Sequence, residues 1–255
     1  KIVTRSNSSP ASFYKNSIYI KFYSFFIKFA DNVIVNSHEF SKLFFKKFKK
    51  KPITIYNPFI PEIVKRLSKI KIKKSFLKNN LNIITVGRLT DQKNHIIQLK
   101  AIKYIEKKYN PILTIIGKGY KEKYLKSYIK NNNINEKVKL IGYKKNPFPY
   151  ILKSDILILS SKFEGLPNIL LEAQCLKRYI ISSRCSSGPK EILMNGKAGD
   201  LFSVNDYRGL ANKINNYCKN KNKFKKKTLV GFKNLHRFNY NKNCQKYYEI
   251  LNNFF

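Results

Sequence analysis

The sequence predicts an α/β protein with a doubly wound parallel sheet, and three observations carry that prediction. From Leu81 onward, short β-branched runs alternate with stretches of helical spacing. Those runs lack polar alternation, as strands buried on both faces do. Two more runs of this kind precede residue 60, on either side of a lysine-rich helical stretch. Strand–helix alternation implies parallel pairing, and right-handed crossovers then place helices on both faces of the sheet.

Taken in order, Lys1-Ile2-Val3-Thr4 reads as the end of a strand and not as a secretory leader, so the chain is expected to begin inside a protein. "SIYIKFYSFFIKFA" (17–30) is the most apolar segment, but Lys21 and Lys28 interrupt it well short of the ~20 apolar residues a bilayer span needs. Lys21, Ser24 and Lys28 form one polar stripe beside a broad aromatic surface. Such a helix suits a membrane interface or, in the reading preferred, packs on a sheet. "DNVIVNS" (31–37) and "KPITIYNP" (51–58) are strands around a helix at 39–50, and the polar stretch after Asn57-Pro58 is a linker to about residue 80. "NIITVG" (82–87), "ILTIIG" (112–117), "VKLIGY" (138–143), "DILILS" (155–160) and "YIISS" (179–183) follow as strands. Helices are expected near 94–108, 120–131, 168–177, 188–194 and 207–219, and the lysine clusters at 46–51 and 219–227 as solvated faces.

Lysine and arginine total 52 against 14 acids, a formal charge of +38. A field of that sign favours polyanionic partners: nucleic acid, an acidic membrane or phosphorylated substrates. Abundant Lys, Asn, Ile, Tyr and Phe is also what an AT-rich genome produces, and the charge has that second explanation. A nucleic-acid module would gather lysine and aromatic residues on one element. Here the lysines are spread over every segment, and no nucleic-acid partner is expected. The four cysteines form no CxxC pair and share no metal-ligand spacing with the three histidines, which fits a reducing cytosol.

Open parallel sheets bind ligands at the carboxyl ends of their strands, and three candidate stretches lie there. In "VGRLTDQKN", Gly87 permits close backbone approach, while Arg88 and Lys93 precede a helix and suit a diphosphate. By itself this stretch reads as a solvated basic loop. In "IIGKGY", Gly117 and Gly119 read as a turn entering the next helix. In "SKFEGLPNILLEA", Glu164 follows a buried strand, Gly165 allows a bound group to approach, and Pro167 sets the first turn of a helix that carries Glu172. Carboxylates accept paired hydrogen bonds from vicinal hydroxyls, so this stretch fits a ligand bearing a sugar and a ribose.

The E-x7-E pattern of Glu164-Gly165-Leu166-Pro167-Asn168 through Glu172 resembles the signature of glycosyltransferase family 4. "VGRLTDQKN" is similar to that family's G-R-x4-K phosphate loop, and "ADNVIVNS", "IYNP", "SSGPKEIL", "GKAGDLF" and "FNYNKNCQKYYEIL" resemble further family segments in the same order. The resemblance implies a GT-B fold of two Rossmann-like domains. Residues 1–58 would be the C-terminal part of the acceptor-binding domain, 59–80 the linker, 81–236 the nucleotide-sugar domain and 237–255 a helix returning to the first domain. The first half of the acceptor domain is then expected to be missing, and "TRSNSSP" (4–10) resembles a cleft loop in which Arg5 would touch the acceptor or solvent.

The implied reaction moves a hexose or N-acetylhexosamine, with retention, from a UDP-type donor to a polyprenyl-diphosphate-linked or glycan acceptor in cell-surface polysaccharide synthesis. Arg88 and Lys93 would hold the diphosphate, Glu164 the donor sugar beside the Gly165 and Leu166 amides, and Glu172 the ribose. Gly87, Pro167 and Asn168 complete the implied substrate-binding set. No Asp-x-Asp motif is present, so no metal or cofactor is expected. Location in the cytoplasm, with peripheral contact to anionic membrane at the inner face, follows from the same resemblance and the charge. The alternatives are a non-catalytic nucleotide-sugar-binding remnant and a basic nucleic-acid-binding protein.

Overall fold

The computed structural model describes residues 2–7, 17–72, 76 and 79–252, organised by two parallel sheets. The first sheet holds β1 (Val3–Ser6), β2 (Asn32–Val35) and β3 (Ile53–Thr54) in that order. Helix α1 (Ser17–Phe29) precedes β2, and α2 (His38–Phe48) follows it. The Ser37 hydroxyl caps α2 by accepting the Phe40 N–H at 3.1 Å, which satisfies a donor the helix cannot. Ile27, Ala30, Val33, Val35, Phe40 and Phe44 form the core of this sheet.

Sheet packing accounts for one side of α1 only. Ile27 is buried and Tyr23 packs on Phe44 and Phe48, whereas Phe22, Phe25, Phe26 and Phe29 are each more than half exposed. The expectation that this aromatic surface is core therefore holds for one stripe and fails for the other. A helix can lay only one stripe on a sheet, and apolar residues here extend well beyond it. Among the described residues no helix is long and apolar enough to cross a membrane.

The second sheet contains β4 (Leu81–Val86), β5 (Pro111–Ile116), β6 (Val138–Leu140), β7 (Ile156–Leu159), β8 (Tyr179–Ser183) and β9 (Asp200–Phe202). Its order is β6-β5-β4-β7-β8-β9, with every pair parallel. Alternate residues go to opposite faces, as the two-residue period of a strand requires. Ile83, Ile156, Ile158 and Ile181 pack under α4 (Ile96–Ala101), α5 (Glu122–Asn131) and α9 (Tyr207–Lys219). Ile84, Leu157, Leu159 and Ile180 pack under α3 (Pro61–Ser68), α6 (Phe148–Lys153), α7 (Asn168–Cys175) and α8 (Pro189–Ile192). Successive strands run outward in one direction from β4 and in the other from β7. The sheet's topological switch point thus lies between β4 and β7, where a crevice opens at the strands' carboxyl ends.

Several elements depart from the sequence reading. The stretch after Pro58 contains α3, whose Pro61 occupies the first turn and whose Val64 is buried. Helix α4 is short and passes into 3-10 turns at 102–104 and 107–109. Strand β9 was hidden by Asp200, a buried acid in a three-residue run, and Lys227 Nζ neutralises it at 2.5 Å. The lysine cluster around 219–227 forms the end of α9 and the start of α10 (Lys221–Lys233), where Phe224 inserts against Tyr179 and Tyr217 while neighbouring lysines face water. The closing helix α11 (Tyr240–Asn252) brings the Tyr247 ring within 5.4 Å of the Arg5 guanidinium, so the chain's last helix lies beside β1.

Candidate active site

The loops leaving β4 and β7 are joined directly. Beyond β4, Gly87 N–H donates to the Ile116 carbonyl at 2.9 Å and Leu89 N–H to that of Lys118 at 3.0 Å. The following residues fold back over the end of β7. The Ser160 hydroxyl donates to the Lys93 carbonyl at 2.9 Å, Lys162 N–H to the Gln92 carbonyl at 2.8 Å, and Gln92 Nε2 to the Phe163 carbonyl at 3.0 Å. His95 is buried beneath this loop, with Nε2 3.3 Å from the Arg88 carbonyl. Burial pushes its pKa down to about 4, so the ring is neutral and serves as scaffold.

This arrangement brings Lys93 to Glu164, which lie on different loops. Lys93 Nζ stands 2.6 Å from Glu164 Oε1, and the Ser161 hydroxyl donates to the same oxygen at 2.6 Å. The side chains are only 16% and 8% exposed, so the pair is largely withdrawn from water. Glu164 Oε2 has no protein partner among the described residues. The Glu164 backbone is fixed from behind, because the Ser187 hydroxyl donates to its carbonyl at 2.5 Å. Gly188, at φ +80°, presses on the Gly165 carbonyl, where a Cβ would collide with backbone.

In front of Glu164 lies a cavity of about 480 Å³ to which both sheets contribute. Arg5, Asn7, Asn36 and Asn57 enter from the first sheet and the segment after it, and Glu164, Gly165, Leu166 and Asn168 from the second. Arg5 Nη2 donates to Asn57 Oδ1 at 2.9 Å, and Asn57 Nδ2 donates to Asn168 Oδ1 at 2.8 Å. Asn36 Nδ2 reaches the Asn7 carbonyl at 3.3 Å, while its buried Oδ1 has no hydrogen-bond partner among the described residues. An unsatisfied buried acceptor costs roughly 1–3 kcal/mol, and a ligand hydroxyl would relieve it.

The other expected residues are placed as follows. Arg88 is exposed on the β4 loop near Lys93, and Gly87 sits against the Lys93 stem, 3.5 Å from where its Cβ would be. Pro167 precedes α7, Asn168 opens it, and Leu166 is buried with its carbonyl accepting from Asn57. Glu172 lies farther along α7, about 6 Å beyond its first residue at 1.5 Å rise per position. No hydrogen bond or ion pair joins it to Lys93 or Glu164, and burial alone raises its pKa to about 7. The structure thus joins Lys93 and Glu164 by contact, keeps Arg88 on the adjoining loop, and leaves Glu172 without such a link. Asn36, Ser161 and Ser187 were not singled out from sequence. Their only signal is a polar residue directly after a buried strand or before a glycine.

A family model described as glycosyl transferases group 1 matches residues 68–242, more than half of the 255-residue chain. The chain belongs to this family. An uncharacterized glycosyltransferase of Methanocaldococcus jannaschii is 33% identical over 204 residues, covering 76% of this chain and 50% of that protein. A Campylobacter jejuni protein named N-acetylgalactosamine-N,N'-diacetylbacillosaminyl-diphospho-undecaprenol 4-alpha-N-acetylgalactosaminyltransferase is 32% identical over 159 residues, covering 62% of this chain and 41% of that one. The chain therefore spans about half, or less, of the length of these curated relatives. Among solved structures, Anabaena HepE in complex with UDP-glucose superposes with a TM-score of 0.88 at 19% identity, covering 98% of this chain and 72% of HepE. At that identity the likeness establishes the fold, an α/β GT-B arrangement of parallel sheets.

Proposed function

We propose that the chain carries the donor site and part of the acceptor site of a retaining glycosyltransferase. It moves a hexose or N-acetylhexosamine from a UDP-sugar to a lipid-linked or polysaccharide acceptor in cell-surface glycan synthesis. The observation that carries this reading is the Lys93–Glu164 pair at the switch point, whose Glu164 lines a polar cavity with contributions from both sheets. Without substrate the two charges neutralise each other. A ligand with a diphosphate and vicinal hydroxyls can separate them, taking the ammonium with one part and the carboxylate with the other. HepE's UDP-glucose and the diphospho-undecaprenol acceptor named for the C. jejuni relative support the substrate classes.

Arg88 and Lys93 neutralise the diphosphate as it departs, a fixed positive charge placed where negative charge develops. Glu164 orients the donor sugar through its hydroxyls, beside the Gly165 and Leu166 amides. Glu172 takes the ribose, and no metal is assigned a role. Asn36, Asn57 and Arg5 line the acceptor side. Calorimetric titration with a panel of nucleotide sugars tests the donor half, and a transfer assay with a polyprenyl-linked acceptor tests the whole. Donor binding without transfer would leave the remnant reading standing, and no binding by any nucleotide sugar would overturn both.

The same titration tests Glu172. Its protonated form predominates below about pH 7, and only the carboxylate accepts from both ribose hydroxyls. Donor affinity is therefore expected to rise roughly tenfold from pH 6 to pH 8, and Glu172→Gln to flatten that rise. Folding stability runs the opposite way. A raised carboxyl pKa means that the folded state holds a proton the unfolded chain has released, so stability falls between about pH 4.5 and pH 7.

Peripheral contact with the cytoplasmic face of an anionic membrane belongs to this proposal. The outward face of α1 presents Phe22, Phe25, Phe26 and Phe29 beside Lys21 and Lys28, an apolar surface with a cationic margin. Flotation with phosphatidylglycerol vesicles at low salt is expected to recover the protein, and Phe22→Ser/Phe26→Ser to lower recovery severalfold. Equal recovery of both proteins, or dimerisation that buries the face, would remove the membrane from the picture.

A further inference from the structure

We propose that Glu191 is a positioning residue, a clasp that sets the width of the cleft between the two sheets. Resting on the transferase reading above, it fixes the acceptor side of the cavity relative to Glu164. Glu191 lies on α8 of the second sheet, yet the partners of its carboxylate among the described residues all come from the first sheet's helix α2 and the segment leaving that sheet. Oε1 accepts the His38 N–H at 3.1 Å and the Tyr56 hydroxyl at 2.6 Å, and Oε2 accepts the Glu39 N–H at 3.0 Å. His38 and Glu39 are the first two residues of α2, so the carboxylate also meets the positive end of that helix. The separations in sequence, 135 to 153 residues, exclude a local turn or cap.

Both sides of the clasp are braced. Arg237 Nη2 donates to the Glu191 carbonyl at 3.3 Å, and Lys190 Nζ reaches Glu39 Oε1 at 3.5 Å. The Tyr56 ring packs on Phe238 with centroids 4.8 Å apart. Burial and the Glu191 carboxylate raise the Tyr56 pKa, which keeps its proton on the phenol as the hydrogen bond requires.

The connection to the site is short. Ser187 and Gly188, which support the Glu164 carbonyl and the Gly165 backbone, lie four and three residues before Glu191. Asn36 lies two residues before His38 and lines the cavity opposite. One carboxylate thus ties the segment behind Glu164 to the segment that carries Asn36. It touches neither end of the reaction, so its effect should fall on geometry and not on donor affinity, since Lys93, Arg88 and Glu172 all sit on the second sheet.

The test compares wild type with Glu191→Gln and Tyr56→Phe. In Glu191→Gln one amide N–H₂ must face a backbone N–H, whereas Tyr56→Phe removes a single donor and leaves the helix contacts. Nucleotide-sugar affinity is expected to stay within about twofold in both variants. The rate of transfer should fall at least tenfold in Glu191→Gln and severalfold in Tyr56→Phe, with the combined variant no worse than Glu191→Gln alone. Hydrogen exchange at the His38 and Glu39 amides should speed up at least tenfold in Glu191→Gln, and the radius of gyration should increase. Those last two readouts need no turnover, so they distinguish failure of the clasp from failure of the transferase reading. Unchanged exchange at both amides in a folded Glu191→Gln protein would overturn the clasp. Loss of donor binding in Tyr56→Phe in step with lost transfer would overturn it equally, by showing a merely structural residue.

Discussion

Replacing Lys93 by Met, or Glu164 by Gln, is expected to lower sugar transfer by roughly 10²- to 10³-fold, the usual cost of deleting one fixed charge or donor aimed at developing charge. The contact between them adds a second expectation. Each single change leaves the other member buried without its partner, at side-chain exposures of 16% and 8%. Breaking such a pair costs about 3–5 kcal/mol, whereas replacing both with uncharged residues is often neutral. The single variants should therefore be less stable than wild type, and the Lys93→Met/Glu164→Gln protein should recover most of the difference while remaining inactive. Thermal unfolding beside the transfer assay checks this. A double variant as unstable as either single one would show that the two residues do not act as a pair. Wild-type turnover in either single variant would remove that residue from the mechanism.

The positions of Lys93 and Glu164 were legible because strand ends are legible. A short uninterrupted run such as Ile156-Leu157-Ile158-Leu159, set between turn signals in a strand–helix alternation, reads as a buried strand, and a charge past its end sits at the sheet's edge. Which two edges adjoin was not legible from local pattern, since strand order depends on crossovers that leave no mark on periodicity. The exposed half of α1 shows the opposite limit. Apolar content fixes how much surface a helix wants to bury, but what lies opposite is not written in the helix itself. Glu191 was invisible for a related reason. Its partners are backbone N–H groups and a tyrosine more than 130 residues away, so neither motif nor spacing betrays it. Short elements rich in charge, such as β9 with Asp200 and α10 with its lysines, were lost because ion pairing and a single buried Phe replace the usual apolar repeat.

Gly117 illustrates how a residue read as a plain turn can govern the site, and it carries the second large expectation. A Cβ at this position would fall inside 3.0 Å of both the carbon and the oxygen of the Gly87 carbonyl, and backbone atoms cannot swing aside as a flexible side chain can. Its φ of +153° adds strain for any L side chain. Gly87 begins the loop that delivers Arg88 and Lys93, so relief of the collision must displace that loop. Gly117→Ala should thus cost about 2–4 kcal/mol in stability and weaken nucleotide-sugar binding by tenfold or more. Gly142 supplies the control. It too has positive φ, at +70°, but a Cβ there would meet nothing within 4 Å, so Gly142→Ala should cost only about 1 kcal/mol and leave binding unchanged. A larger loss in Gly117→Ala than in Gly142→Ala reflects the collision together with the greater strain of its φ. If Gly117→Ala proved as mild as Gly142→Ala in both unfolding and calorimetry, close packing of the β5 turn on the Gly87 carbonyl could not be what positions the basic loop.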